Sequence, residues 1–278
     1  MSNEWRLLNT GFRTGAENMA IDEMLLNQVA TGHSLPIIRF YGWSPPCISL
    51  GHFQDRGRSV SLEACRELGV DCVRRPTGGR AVLHDHEVTY ALILPENHRL
   101  LSSGGVTDSY RVLSQGILQG LRDLGVPAEM VPGRRKKSTP ASAACFDATS
   151  SYEIVVAGRK LVGSAQLRQH GVILQHGSIL LRFDAARLVY LLSGQQHPEL
   201  AETLQASVAD LHTTLGRNVC FDEVVDALSF GWEHTFEISL ISSKLSSSER
   251  RLANDLVLSK YSSEDWNAHR VRRAVDRS

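Results

Sequence analysis

The sequence predicts an α+β domain, and three observations carry that expectation. Short Ile- and Val-rich segments bounded by Gly, Pro and Ser recur along the first two thirds of the chain. Apolar residues at spacings of three and four mark helices before, between and after them. No linker is long enough to separate independent domains. With 278 residues and 42% hydrophobic content, the chain can bury one sizeable core.

Residues 14–30 carry Ile21, Met24, Leu25 and Val29 at helical spacing behind Thr14 and Gly15, which predicts an amphipathic helix. Two adjacent strands follow, 36–43 and 47–50, because the prolines of Ser44-Pro45-Pro46 forbid a continuous one. Ser61 caps a short helix that Gly69 stops, with Leu62, Cys65 and Leu68 on its buried face. Residues 71–75 and 87–94 read as strands flanking a loop at 76–85. The segment 107–124 sets Val112, Leu113, Ile117, Leu121 and Leu124 three and four apart and ends before Gly125 and Pro127, a helix pattern. Residues 152–156 and 160–164 form a hairpin across Ala157-Gly158-Arg159, and His176 lies in the apolar segment 172–181. The remainder reads as helices at 184–192, 199–215 and 222–234, a strand at 236–241 and a last helix at 248–261, capped from Ser246-Ser247-Ser248-Glu249.

Composition narrows the function classes. Lys plus Arg equals Asp plus Glu, 30 each, so the whole molecule has no field to recruit nucleic acid. No apolar run approaches the roughly 18 residues of a membrane helix, and the N-terminus lacks a secretory pattern, so a cytoplasmic protein that needs no membrane is expected. Five cysteines, at 47, 65, 72, 145 and 220, without CxxC spacing, give neither a disulfide framework nor a thiolate zinc site.

The segment 141–166 brings a thiol and an ammonium within reach. Cys145 lies in a small-residue loop just before the hairpin, and Lys160 starts its second strand. A cation beside a thiol lowers its pKa from about 8.5 toward neutrality, and the thiolate is the nucleophile that attacks a thioester. On spacing alone the plainer reading stands beside this one: a buried, inert cysteine and a solvated turn lysine.

The loop at 76–85 has Gly78 and Gly79 between Pro76-Thr77 and Arg80, so backbone N–H groups there are able to hold an anion or a carbonyl oxygen. It matches neither a dinucleotide fingerprint nor a P-loop. His84 and His86 lack a third ligand nearby, so no metal is expected, and His176 reads as a core or pocket histidine. Arg134-Arg135-Lys136-Lys137 puts four positive charges directly upstream of the Cys145 loop, where a local patch would attract an acidic carrier domain.

Taken together, Asn18–Glu23, Arg39-Phe40-Tyr41-Gly42-Trp43, Ser49-Leu50-Gly51, the run 74–85, Cys145-Phe146-Asp147, the run 158–166, the run 174–178 and Lys260-Tyr261 resemble the biotin/lipoate protein ligase superfamily. Within it they are most similar to the octanoyltransferase branch of lipoate synthesis found in Bacillus-type bacteria. The resemblance implies a single catalytic domain over 1–278 of the biotin/lipoate protein ligase type, with a largely antiparallel mixed sheet flanked by helices. Its core spans about 32–245, and an N-terminal strand and helix and a C-terminal helix pack on it. It also implies roles: Cys145 takes the acyl group as a thioester and Lys160 stands beside it. Arg75, Thr77, Gly78, Gly79, Arg80 and His84, with Gly163, Ser164, Ala165, His176 and Gly177, bind the substrate.

The implied donor is octanoyl-acyl carrier protein and the implied acceptor a lipoyl-domain lysine, such as that of glycine cleavage H protein. No cofactor is implied, because thioester exchange and aminolysis need no ATP. An ATP-dependent lipoate ligase and an octanoyl amidotransferase between lipoyl-domain proteins are the alternatives. Lys160 is shared with the ligases, so Cys145, and Arg80 where they usually have a third glycine, favour the transferase.

Overall fold

The computed structural model describes residues 3–101, 105–132 and 152–268. β1 (Glu4–Arg13) leads into α1 (Gly15–Ala30), then β2 (Ile37–Trp43), β3 (Cys47–Leu50), α2 (Arg56–Ser59), α3 (Leu62–Glu67) and β4 (Asp71–Arg74). After these come β5 (Val82–His84), β6 (Glu87–Pro95), α4 (Val106–Asp123), β7 (Glu129–Pro132), β8 (Tyr152–Val156), β9 (Arg159–Gln169) and β10 (Val172–Leu180). The last part holds α5 (Ala185–Ser193), α6 (Pro198–Ser207), α7 (Leu211–Leu215), α8 (Phe221–Phe236), β11 (Ser239–Ser243) and α9 (Ser247–Leu256). A π-helical turn, Val257–Tyr261, links α9 to α10 (Glu264–Ala268).

Eight strands form one sheet in the order β11-β1-β2-β6-β10-β9-β8-β7. Its first three strands run parallel and every later pair is antiparallel, which is the mixed, largely antiparallel sheet expected of an α+β fold. α1 covers one face through Met24, Leu25, Tyr41 and Leu174, and α4 with α8 covers the other through Phe40, Tyr90, Ile117 and Trp232. Because both faces are covered, β2 is buried along its whole length. A second sheet, β4-β3-β5, closes over Ile48, Leu50, Ala64 and Leu191.

Local chemistry explains most element ends. Thr14 and Glu17 form a reciprocal capping box at the start of α1, and Ser246 with Glu249 forms another at α9. Ser61 caps α3. The hairpin turns on two residues rather than three, Ala157 and Gly158 at φ of 48° and 74°, the left-handed pair that matches strand twist.

Other expectations change as well: the loop expected at 76–85 contains β5. The strands on either side of the prolines lie in different sheets, because the turn redirects the chain out of the main sheet. Leu62 and Leu68 are 38% exposed, so α3 buries Ala64 beside the expected Cys65. The helix expected at 199–215 breaks where Val208 turns extended to bridge Lys160, with the Ala209 amide donating to the Lys160 carbonyl at 2.9 Å. Asp210 then caps α7 afresh. Phe236 closes α8 rather than opening a strand, so β11 begins at Ser239.

Candidate active site

Two adjacent arginines at the end of β4 shape the site by holding two loops. Arg74 donates to the carbonyls of Gly51, His52 and Gln54 and to those of Trp266 and Asn267, tying the 51–54 loop to α10. Arg75 uses all five of its N–H groups on protein acceptors: Thr77 Oγ1, Ser49 O and Oγ, and the carbonyls of Gly78 and Arg80. The two loops touch, since a Cβ on Gly51 would stand 1.9 Å from the Gly79 carbonyl oxygen. Gly79 itself sits at φ 97°.

From Arg75 two hydrogen-bond chains run outward, each through a hydroxyl and a histidine to a carboxylate. On one side Thr77 Oγ1 lies 2.7 Å from His176 Nε2, and His176 Nδ1 lies 3.0 Å from Asp22 Oδ2. Asp22 also accepts from Tyr41 at 2.9 Å and pairs with Arg39 at 2.5 Å, all fully buried. Burial opposes charge on Asp22, but Arg39 and His176 outweigh it and hold its carboxyl below the usual range. Burial pushes His176 down despite Asp22, so its Nδ1 carries the single proton to Asp22 and its Nε2 accepts from Thr77.

The other chain has the same form. Ser49 Oγ, accepting from Arg75, lies 2.7 Å from His84 Nε2, and His84 Nδ1 lies 2.7 Å from Glu87 Oε1. Thr89 and Ser178 both donate to Glu87, and Thr89 in turn accepts from the Trp43 indole at 2.7 Å. The Trp43 ring stacks on His84 at 4.0 Å and 11°. Every ring nitrogen of both histidines is therefore engaged within the protein.

Between these chains lies a cleft. Of the expected residues, Arg75, His84, Gly163, Ser164, Ala165, His176 and Gly177 line it. Register explains which side chains face it. Ala165 and Gly163 pair with His176 and Ser178 on the cleft face, whereas Ser164 pairs with Gly177 on the opposite face and its hydroxyl meets Tyr90 at 2.8 Å. A Cβ on Gly177 would stand 2.5 Å from that hydroxyl. Thr77, Gly78, Gly79 and Arg80 stand behind the wall, held by Arg75 and His176. His86 does not join His84, its side chain being 68% exposed.

Lys160, 6% exposed on β9, has its ammonium 3.0 Å from Glu153 on β8. Cys145 and the basic run 134–137 lie outside the described residues. The remaining thiols divide clearly: burial pushes Cys65 up to about 11, Cys72 to about 12 and Cys47 well above its ordinary value, while Cys220 is exposed at the start of α8. Sequence reasoning missed Asp22, Glu87 and Glu153 as partners, and Met19, Tyr41, Trp43, Ser49 and Thr89 as cleft or network residues. The runs 18–23, 39–43 and 49–51 contain most of them, so motif membership was the available signal.

Residues 14–232 match the family model of the lipoyl protein ligase A/B catalytic domain. The chain is 44% identical over 270 residues to an octanoyltransferase LipM of Kyrpidia tusciae, covering 95% of this chain and 98% of that one. A second octanoyltransferase LipM, of Symbiobacterium thermophilum, is 43% identical over 274 residues, covering 96% of this chain and 99% of that one. Among solved structures, the bipartite lipoate protein ligase of Thermoplasma acidophilum superposes with a TM-score of 0.78 at 25% identity, covering 98% of this chain and 99% of that one. The chain therefore belongs to the lipoyl protein ligase A/B catalytic domain family, in the branch of the LipM octanoyltransferases.

Proposed function

We propose that this enzyme takes octanoate from octanoyl-acyl carrier protein onto Cys145 and passes it to the ε-amine of a lipoyl-domain lysine, that of glycine cleavage H protein. The chain is read as one catalytic domain over 1–278, working in the cytoplasm; no helix among the described residues is long and apolar enough to cross a membrane. The observation that carries the reaction is the similarity, over nearly the full length, to octanoyltransferases. Geometry adds a cleft with apolar walls at Met19, Val82 and Trp43, and a buried lysine three residues along β9 from its edge at Gly163.

In the first step the Cys145 thiolate attacks the donor thioester carbonyl and the carrier's thiolate leaves. In the second, the acceptor amine attacks the Cys145 thioester and the Cys145 thiolate leaves. Lys160 favours the thiolate and donates to the oxyanion of each tetrahedral intermediate. Reach supports the pairing. Pro132 and Tyr152, the described residues that flank the segment bearing Cys145, face each other across β7 and β8, and Tyr152 adjoins Glu153, the partner of Lys160. Tyr152 is seven positions after Cys145, a span of at most about 25 Å. The buried thiols at 47 and 65 and the half-buried one at 72 are held protonated and make poor nucleophiles.

The acceptor lysine must lose a proton to attack. It attacks as the neutral amine, and the second proton, shed once the C–N bond has formed, passes to the departing Cys145 thiolate; both histidines have their ring nitrogens committed to Thr77, Asp22, Ser49 and Glu87. Purified enzyme, octanoyl-acyl carrier protein and apo H protein, mixed without ATP, should give octanoylated H protein. Product only from free acid with ATP would instead place the chain with the ligases. Lys160→Ala should slow the first step by about 10²- to 10³-fold.

A further inference from the structure

We infer that Glu153 is the positioning residue for Lys160, its carboxylate holding the ammonium at the spot from which it serves acyl transfer. This rests on the role given to Lys160 above. The pair is close and sheltered, 3.0 Å apart with side chains 7% and 15% exposed. Exposed ion pairs order little, but a buried ammonium that loses its counter-charge is strongly disfavoured, so this pair fixes where the ammonium rests.

Register shows why Glu153 holds that place. Ile154 and Val156 point into the core under α4 and α8, so Glu153 and Val155 point to the other face. Lys160 stands opposite Val155 in the β8–β9 ladder, past the irregularity that lets Ile154 face Val162, and shares that face. Glu153 itself lies between two strands, paired to Val131 on β7. Its backbone is thus locked by the sheet, a rigid mount for a carboxylate.

The Lys160 backbone is locked as well, through its carbonyl to Ala209 and its bridge to Val208. What remains is a flexible four-carbon stem, which backbone pairing cannot aim. Glu153 supplies the aim. The carboxylate takes no part in bond making; it acts through Lys160, and that dependence is measurable.

The test is a double-mutant cycle on the first half-reaction. Octanoyl transfer from octanoyl-acyl carrier protein to the enzyme is followed by intact mass in single turnover for wild type, E153Q, K160A and E153Q/K160A. Misplacing a reacting group by about 1 Å costs on the order of 10²-fold, so E153Q should slow transfer by about 10- to 10²-fold with the half-saturating donor concentration unchanged. In the K160A background the same substitution should change the rate by less than about twofold, because nothing is left to position. E153D, which keeps the charge at shorter reach, should fall between wild type and E153Q, and it carries the same cycle if E153Q does not fold. Wild-type transfer by E153Q, or an equal slowing in both backgrounds, overturns the inference. Wild-type transfer by K160A overturns instead the role of Lys160 on which it rests.

Discussion

At the scale of single residues the site is organised by Arg75, whose guanidinium sets two hydroxyls, which set two histidines. His176 gives this arrangement a pH signature. Its folded value lies below the ordinary 6.5, so between those two values the unfolded chain binds the proton and the folded one does not. Stability should fall as pH drops below about 6.5, with a slope approaching 1.4 kcal/mol per pH unit, and urea titrations of wild type against His176→Asn should show the slope lost in the variant. Asp22 acts in a separate, more acid window: its stabilisation is present above the ordinary 3.8 and is lost as pH falls through its lowered folded value. Asp22→Asn, which strands a buried Arg39, should cost about 3–5 kcal/mol in denaturant unfolding. The histidines were legible in the sequence as cleft residues because their motifs are local. Their partners were not, since Asp22 meets His176 across 154 residues and only the fold makes that contact.

Among the elements, periodicity revealed α1 and α4 and the β8–β9 hairpin, because each is long or carries its own caps and turn. Of the small sheet, β3 and β4 were read and β5 was not, being three residues within a segment that the sequence shows only as a Gly-bearing loop. The break at Val208 was invisible to helix spacing, since it is set by a strand-like bridge to Lys160, 48 residues earlier in the chain. The α4–α8 crossing yields a prediction against propensity. A Cβ on Gly120 would stand 2.6 Å from the Ala227 carbonyl oxygen and 2.7 Å from Leu228 Cα, backbone atoms that cannot swing aside. Gly→Ala in a helix normally gains up to about 1 kcal/mol, while overpacking costs about 1–3 kcal/mol. Gly120→Ala should therefore lower the melting temperature by a few degrees, and a rise would show that the helices part without cost.

For the whole molecule, net charge is zero, so attraction of an acidic carrier must be local. Neutralising Arg134, Arg135, Lys136 and Lys137 should raise the KM for octanoyl-acyl carrier protein at low salt, and the effect should shrink as salt is added; an unchanged KM at low salt would remove the patch from the account. The fold is shared with a lipoate protein ligase at a TM-score of 0.78, while the sequence is 44% identical to an octanoyltransferase, so architecture alone does not separate the two chemistries. What separates them is whether the acyl group passes through the enzyme. The decisive measurement is the intact mass of the protein after mixing with octanoyl-acyl carrier protein in the absence of ATP, beside Cys145→Ser. A gain of one octanoyl group, released by hydroxylamine and absent from the variant, is the predicted result; an unchanged mass, or the same gain in Cys145→Ser, would contradict it.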